Sequence, residues 1–273
     1  MDQYPPLSAH PPADQPRARA TEPRTLADMA QAGLIIENEG RTRLGDEFRI
    51  AASRLHTVVG QSVASGKRCG NLTLVTSTRP AEGKSFASVN LAAALARTGS
   101  RPVLLVDADA TLRSLSELLG LTNAPGLLDV AADSSLDPAC LVVATPVPGL
   151  SILPLGDPRM GFEPGPNSQA LPAAAEQLSR YFADWTVVID TGPLLATSDP
   201  SVLAPTVSQV VVVVEAGRTQ RGELEAALEM IKTCPNVLLL LNKQAGNNRT
   251  SFGTYSYAPG YHARPNAPPP PRP

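Results

Sequence analysis

The sequence predicts an α/β protein whose mostly parallel sheet carries helices on both faces. From Asn71 onward, short apolar runs alternate with helical patterns, which is typical of a parallel sheet. Several runs, such as VVVVV and VLLLL, contain no polar residue, as expected for strands covered on both faces. Polar side chains directly follow three of these runs. Ligands of such sheets bind at the carboxyl ends of the strands, so this pattern also predicts where a site would lie.

The elements follow one another along the chain in a regular order. The six predicted strands are Leu72–Thr76, Val103–Asp107, Leu150–Leu153, Val187–Asp190, Val210–Glu215 and Val237–Leu241. Helices are predicted between them at Lys84–Thr98, Gln169–Phe182 and Gln220–Thr233. An earlier helix is indicated by apolar residues at helical spacing on one face, namely Phe48, Ala51, Ala52, Leu55 and Val58.

Composition divides the chain into four parts. Prolines number 28, and 13 of them fall within residues 1–24 and 259–273, where little apolar surface is available for burial. We therefore predict disordered tails at 1–24 and 246–273, a helical segment at 25–65 and the main α/β domain at 66–245.

Charge, hydropathy and cysteine usage exclude several classes of protein. The longest apolar runs have five residues, too short to cross a bilayer, and the first twenty residues lack a secretory pattern, so a cytoplasmic location is expected. A net charge of −2 with four lysines argues against a nucleic-acid partner. The three cysteines, Cys69, Cys140 and Cys234, are expected to be buried small apolar residues.

A phosphate-binding loop is predicted directly after the first strand. The segment STRPAEGKS, residues 77–85, leads into a helix, and such a turn aims backbone N–H groups and the helix N-terminus at phosphate oxygens. Lys84 is placed to reach the β- and γ-phosphates of a nucleotide, and the hydroxyl of Ser85 to bind Mg²⁺. Nucleotide contacts are expected from Pro80, Ala81, Glu82, Gly83, Lys84, Ser85 and Phe86.

Acidic side chains end two further strands at the same predicted edge. LLVDADA places Asp107 and Asp109 there, and TVVIDTG places Asp190. Ser85 and Asp190 are expected to hold the metal, directly or through water, with Asp107 as a further candidate ligand. Lys84 would stabilise charge on the transferring phosphoryl group. Asp107 is the best candidate to orient or deprotonate the attacking hydroxyl, with Asp109 beside it.

Plainer interpretations exist for single residues of this set. Thr78 stands where the usual phosphate-loop pattern has its first glycine, so an incidental turn is one alternative. A lone aspartate after a strand is commonly a helix cap or a turn residue. Asn242, at the end of the last strand, is placed to present its amide to an adenine base, although asparagine is also a common turn former.

The ordered set STRPAEGKS, LLVDAD, VVIDTGPLLATSD, QVVVVVEAGRTQ and LLLNK resembles the bacterial tyrosine kinases, which share the P-loop ATPase fold of the MinD and ParA proteins. LADMAQAGLI, GDEFRIAASRL, GLLDV and VVVVVEAGRT are similar to the autokinase branch found with exosortase-type exopolysaccharide systems. The resemblance covers roughly residues 25–262.

This resemblance implies an autokinase that uses ATP and Mg²⁺ and regulates exopolysaccharide assembly. The implied phosphoacceptors are the tail tyrosines Tyr255, Tyr257 and Tyr261. The implied partner is an integral membrane co-polymerase or chain-length protein, which would bring the chain to the inner membrane. Self-association is a further possibility, since Asp46 and Arg49 match part of a subunit-contact motif of the family.

Two departures from the family pattern keep other functions open. Ala81 stands where these kinases have a glycine, and Leu112-Arg113 where they have Arg-Pro. One alternative is therefore an adaptor of the membrane partner that binds nucleotide weakly or not at all. A second is a MinD- or ParA-like positioning ATPase, although Arg79 takes the place of that group's early lysine.

Overall fold

The computed structural model describes residues 29–30, 33–34, 42–98, 100–111, 114–156 and 170–244. Within these ranges, seven strands form one sheet: β1 (Leu72–Ser77), β2 (Val103–Ala108), β3 (Val143–Ala144), β4 (Leu150–Leu153), β5 (Thr186–Thr191), β6 (Gln209–Glu215) and β7 (Val237–Asn242). Their order across the sheet is β3-β4-β2-β5-β1-β6-β7. Every pair is parallel except β3 with β4, so the carboxyl ends of the other six strands share one edge.

Helices connect the strands and cover the sheet. Those described are α1 (Arg43–Ala64), α2 (Lys84–Thr98), α3 (Leu115–Leu118), α4 (Leu127–Ala132), α5 (Ala170–Tyr181), α6 (Asp199–Leu203) and α7 (Arg221–Met230), with a 3₁₀ turn at Pro138–Leu141. Leu105, Val188 and Val211 point to the face covered by α1, α2 and α3. Leu104, Val187 and Val212 point to the opposite face, covered by α4, α5, α6 and α7. The predicted fold, a mostly parallel sheet between two helical layers, is confirmed.

The predicted elements coincide closely with the observed ones. All six predicted strands are present, each with its bounds within one residue of the expectation at either end. The short edge strand β3 was not predicted, because two residues carry no periodic pattern. The helices α3, α4 and α6 were not predicted either, since they have four to six residues each.

Two expectations about burial were wrong in detail. The run VLLLL was expected to be covered on both faces, but Val237, Leu239 and Leu241 are 41%, 51% and 58% exposed. The reason is position: β7 is the last strand of the sheet, and its alternate residues lie beyond the cover that α7 gives to β6. Cys140 is exposed, whereas Cys69 and Cys234 are buried as expected.

The helix α1 packs on the sheet with the face that its apolar spacing predicts, slightly rotated. Phe48, Ala52 and Leu55 are buried as expected, and the stripe continues through Val59, whereas Val58 is only half-buried. Arg49 pairs with Asp46 on the same helix. None of the described helices has the length and hydropathy needed to cross a bilayer. The predicted tails lie outside the described residues, and the predicted division at residues 65 and 245 stays a prediction.

Candidate active site

Three strands bring the predicted site residues together at the carboxyl edge of the sheet. β1 leads into the loop of residues 78–83, and α2 begins at Lys84. Asp107 on β2 and Asp190 on β5 are directly opposite one another in the parallel ladder. The sequence placed these residues at one edge from their position after apolar runs, and the observed register explains why they meet.

Lys84 lies at the centre of this group of charges. Its ammonium donates to the carboxylate of Asp109 and lies 3.5 Å from the hydroxyl of Ser85. Burial alone would lower the pKa of Lys84, but Asp190, Asp109 and Asp107 outweigh it and raise the pKa above its ordinary value. The lysine therefore carries its positive charge at neutral pH, as a phosphate-binding side chain must.

Asp107 is fully buried and both of its oxygens are already engaged. Oδ2 accepts from the backbone N–H and the hydroxyl of Ser116, both at 2.6 Å, and Oδ1 accepts from the N–H of Asp109 at 3.1 Å. Burial raises its pKa, and the bonds from Ser116 oppose that shift. Asp107 thus ties α3 to β2 and fixes the backbone from which Asp109 reaches Lys84.

Asp190 is the carboxylate with a free oxygen. Its Oδ1 accepts from the hydroxyl of Ser88 at 2.8 Å, whereas its Oδ2 is buried and has no hydrogen-bond partner in the described part of the chain. Burial raises the pKa of Asp190 to about 7, and Lys84 is the main opposing influence. An orphaned carboxylate oxygen in a buried site is costly unless a cation or donor meets it.

The oxygens of Asp190 and Ser85 are suitable ligands for the predicted Mg²⁺. Magnesium prefers oxygen ligands and is commonly held by one or two protein groups together with substrate phosphates. The orphaned Oδ2 of Asp190 and the hydroxyl of Ser85 offer such oxygens at the loop. Asp107, the third predicted ligand, already accepts hydrogen bonds at both oxygens, so the structure favours Asp190 for direct contact.

The outer end of the loop is held by a different part of the sheet. Glu82 is 2% exposed, and its carboxylate accepts from the hydroxyl of Thr219 and, at 2.8 Å, from the N–H of Arg79. The Arg79 guanidinium lies 3.4 Å from Glu223 on α7. The side chain of Glu82 is thus an internal brace, so its predicted contact to a nucleotide would come from its backbone.

Asn242 and Gly83 meet across the end of β7. The Asn242 amide donates to the carbonyl of Glu82 at 2.8 Å. A Cβ on Gly83 would lie 2.2 Å from Asn242 Nδ2, and Gly83 has φ +94°, so only glycine fits there. The predicted contact from Asn242 to an adenine base stays a prediction, and in this structure the amide secures the loop.

Ala81 adopts the left-handed conformation that a glycine would favour. Its φ is 66°, and its carbonyl accepts from the ammonium of Lys243 at 2.6 Å. An L-residue with a Cβ is disfavoured there, by about 1 kcal/mol or more. Ala81 therefore holds a conformation that glycine would adopt without this cost, and its contacts must keep it there.

The remaining predicted residues are placed as follows. Pro80 is exposed at the tip of the loop. The ring of Phe86 packs edge-on against Phe48 of α1, with centroids 5.8 Å apart, which joins α1 to the start of α2. Tyr255, Tyr257 and Tyr261 lie outside the described residues, as does Arg113.

Several residues of the site carry no sequence signal of their own. Thr111 donates its hydroxyl and its N–H to Asp109, and Ser88 and Ser116 each hold a strand-end aspartate. The two serines occupy helices next to the loop, where a hydroxyl is not distinctive in sequence. Asp199 opens α6; burial and the charge of Asp109 raise its pKa. Unlike the two serines, Asp199 could have been noticed in the sequence, because it lies in the motif TSD eight residues beyond the end of β5.

Comparisons with known proteins agree with this geometry. Over 206 residues the chain is 30% identical to the tyrosine-protein kinase CpsD of Streptococcus agalactiae, covering 70% of this chain and 82% of CpsD. It is 34% identical over 209 residues to EpsB of Ralstonia nicotianae, covering 72% of this chain. The kinase domain of Escherichia coli tyrosine kinase ETK superposes with a TM-score of 0.59 at 21% identity, covering 84% of this chain and 91% of that domain.

The extent of these matches differs between relatives. The chain spans 27% of the length of EpsB but most of the length of CpsD. No family model matches the chain. The ETK superposition confirms the fold, and the sequence identity to CpsD is the evidence for common descent.

Proposed function

The chain belongs to the family of bacterial tyrosine-protein kinases, and we propose that it is an ATP- and Mg²⁺-dependent protein-tyrosine autokinase. The observation that carries the proposal is the buried group at the loop: charged Lys84 against Asp109, beside Asp190 with its orphaned oxygen. Such a group meets the needs of phosphoryl transfer, which are positioning and neutralisation of phosphate charge.

Each residue has a proposed part in the reaction. Lys84 exchanges Asp109 for the β- and γ-phosphate oxygens when nucleotide enters, and stabilises charge on the transferring group. Ser85 and Asp190 would hold Mg²⁺, which would supply charge neutralisation on the phosphates. Asp107 positions the backbone of Asp109 through its hydrogen bonds.

The proposed reaction transfers the γ-phosphoryl group of ATP to a tyrosine hydroxyl. A tyrosine Oη forms a bond to the γ-phosphorus while the bond from that phosphorus to the β,γ-bridging oxygen breaks, which releases ADP. The phenolic proton passes to the carboxylate of Asp109, freed from Lys84. We assign the proton-accepting role to Asp109 because the departure of Lys84 toward phosphate frees its Oδ2, whereas the donors to Asp107 are protein groups that stay in place.

The acceptors, partner and pathway are also part of the proposal. Tyr255, Tyr257 and Tyr261 are the proposed acceptors, and each phosphate adds close to two negative charges to a segment that has arginines and no acidic residue. The proposed setting is exopolysaccharide assembly beside an integral membrane co-polymerase, at the cytoplasmic side of the inner membrane. The resemblance to autokinases of exopolysaccharide systems supports this setting, and the cluster of tail tyrosines supports the proposed acceptors.

An adaptor without turnover is the second candidate, favoured by one observation. Ala81 holds the left-handed conformation only against its own preference, which would weaken nucleotide binding. A MinD-like positioning ATPase has less support, because the sequence relatives are named tyrosine-protein kinases.

The test is incubation of the purified protein with Mg²⁺ and ATP, followed by mass spectrometry. Arg264 and Arg272 both precede prolines, so the tryptic peptide of residues 250–273 carries all three tail tyrosines. We expect phosphate on this peptide in the wild type and a loss of at least a hundredfold in Lys84→Ala and Asp109→Asn.

Lys232→Ala is the matched control, because it removes a lysine at the opposite end of α7 from the loop. Full phosphorylation of Lys84→Ala would contradict the assigned site. An unphosphorylated wild-type tail in the presence of the membrane partner would favour the adaptor.

A further inference from the structure

Two of the strained backbone positions in this protein touch one another. Among the described residues, three that are not glycine have positive φ: Cys69, Ala81 and Lys243. Ala81 lies in the phosphate loop with φ 66°, and Lys243 directly follows β7 with φ 56°. The ammonium of Lys243 donates to the carbonyl of Ala81 at 2.6 Å. Strained residues of this kind persist only where their surroundings hold them.

The contact belongs to a pair made by consecutive residues. Asn242 donates to the carbonyl of Glu82 at 2.8 Å, and Lys243 to the carbonyl of Ala81 next to it. Lys243 is itself steadied by Glu215 at the end of β6, 3.3 Å from its ammonium. Two successive carbonyls of the loop are thus fixed from the end of β7, a strand that contributes no residue to the buried charged group.

We propose that Lys243 is a positioning residue of the phosphate loop, and that its bond to the Ala81 carbonyl keeps that alanine left-handed. In that conformation the loop presents its backbone N–H groups to phosphate, so the proposal rests on the proposed nucleotide-binding function. Without the bond, Ala81 relaxes toward negative φ and a smaller fraction of the protein is competent to bind. Apparent affinity falls in proportion to that fraction.

The substitution Ala81→Gly provides a direct test of this mechanism. Glycine populates positive φ about as readily as negative φ, so it does not need the lysine to hold it there. The loss of affinity caused by Lys243→Ala should therefore be large when residue 81 is alanine and small when it is glycine. A lysine that acted by attracting phosphate charge would give the same loss in both backgrounds.

The experiment measures the Kd of a fluorescent ADP analogue with Mg²⁺ for four proteins: wild type, Lys243→Ala, Ala81→Gly and the double variant. We expect Lys243→Ala to weaken binding about five- to tenfold in the wild-type background and less than about twofold in the Ala81→Gly background. Lys232→Ala is the control for loss of a surface lysine. Equal losses in the two backgrounds, or no loss with alanine present, would overturn the proposal.

A second measurement tests the loop without nucleotide. Hydrogen exchange of the loop amides at residues 79 and 81–84 should be about fivefold faster in Lys243→Ala than in the wild type, and nearly unchanged between Ala81→Gly and the double variant. Equal exchange in Lys243→Ala and wild type would overturn the positioning role. If no variant bound nucleotide, the proposed function would fail while the exchange data still decided this inference.

Discussion

The two ends of the phosphate loop are held by different kinds of contact. The helix end, Lys84 to Ser88, is held by almost completely buried carboxylates, Asp109 just after β2 and Asp190 on β5. The strand end, Arg79 to Glu82, is held by residues after β6 and β7 that are partly exposed, such as Thr219 and Lys243. The first set is charged and close-packed, whereas the second consists of single contacts to backbone and to one buried glutamate.

This difference separates chemistry from positioning. Charges inside the low-dielectric helix end interact strongly with whatever phosphate enters, so changes there alter transition-state stabilisation. Contacts at the strand end are hydrogen bonds within and to the loop that act by setting its conformation, so changes there alter the bound fraction. Substitutions at the two ends should therefore differ in size and in the quantity they affect.

Gly83 lies between the two ends of the loop, and Gly83→Ala should have the largest effect on nucleotide affinity. The new Cβ would lie 2.2 Å from Asn242 Nδ2 at φ +94°, so it strains the backbone and breaks the bond from Asn242 to Glu82. We expect nucleotide affinity to fall by about 3–4 kcal/mol, which is a hundredfold to a thousandfold, measured by calorimetry. Gly66→Ala is the matched control, with φ +67° and nothing within 4 Å. Similar losses in both would mean that strain alone acts.

Asp190→Asn should change how stability and nucleotide affinity depend on pH. The folded pKa is about 7 and the unfolded value about 4, so the protonated form stabilises the fold fully below pH 4, and this stabilisation is lost as pH rises to 7. Without nucleotide, the wild type should therefore lose stability from pH 5 to pH 8, whereas Asp190→Asn should not. Relative to wild type, the free energy of unfolding of Asp190→Asn in urea should rise by about 2–3 kcal/mol over this range. With Mg²⁺, wild-type nucleotide affinity should rise over that range, and the variant should lack the rise.

Asp133→Asn serves as the control for this titration. Asp133 is exposed, and hydrogen bonds from Ser135 hold its pKa below the ordinary value, so it stays ionised from pH 5 to pH 8. Wild-type and Asp190→Asn stability curves that ran parallel over this range would contradict the buried-charge account of Asp190.

Thr219→Val should have the smallest effect. The substitution keeps the shape and removes the hydroxyl that donates to the buried carboxylate of Glu82, which retains the N–H of Arg79 as a donor. We expect a loss of about 1 kcal/mol, seen as a higher KM for ATP with nearly unchanged kcat. In a Glu82→Gln background the loss should shrink, because the charge is gone. A lower kcat with unchanged KM would mean that Thr219 acts on the chemical step, which would contradict the positioning role of the strand end.

The sequence predicted the helix end of the loop far better than the strand end. Asp109 and Asp190 follow apolar runs, Lys84 opens the helix after the loop that follows another such run, and parallel strands must bring these residues to one edge. Their grouping thus follows from local patterns and one topological rule. The role of Asp107 did not follow, because its partner Ser116 lies in a four-residue helix with no periodic signal.

The strand end depends on contacts between distant residues. Glu82 and Thr219 are 137 positions apart, and Asn242 and Glu82 are 160 apart. Neither pair has a spacing or a residue type that marks it. The exposure of Leu239 and Leu241 was missed for a related reason: a run of apolar residues does not reveal which strand of a sheet has only one neighbour.

The left-handed turn at Lys243 also decides where the rest of the chain is tethered. It ends β7 on the edge of the sheet that carries the loop, and Gln244 is the last described residue there. Tyr255 and Tyr261 follow Gln244 by 11 and 17 positions. Since a residue spans at most about 3.5 Å, these tyrosines stay within about 40 and 60 Å of that edge. Chain length alone therefore lets the proposed acceptors reach their own chain's loop or one on an adjacent copy.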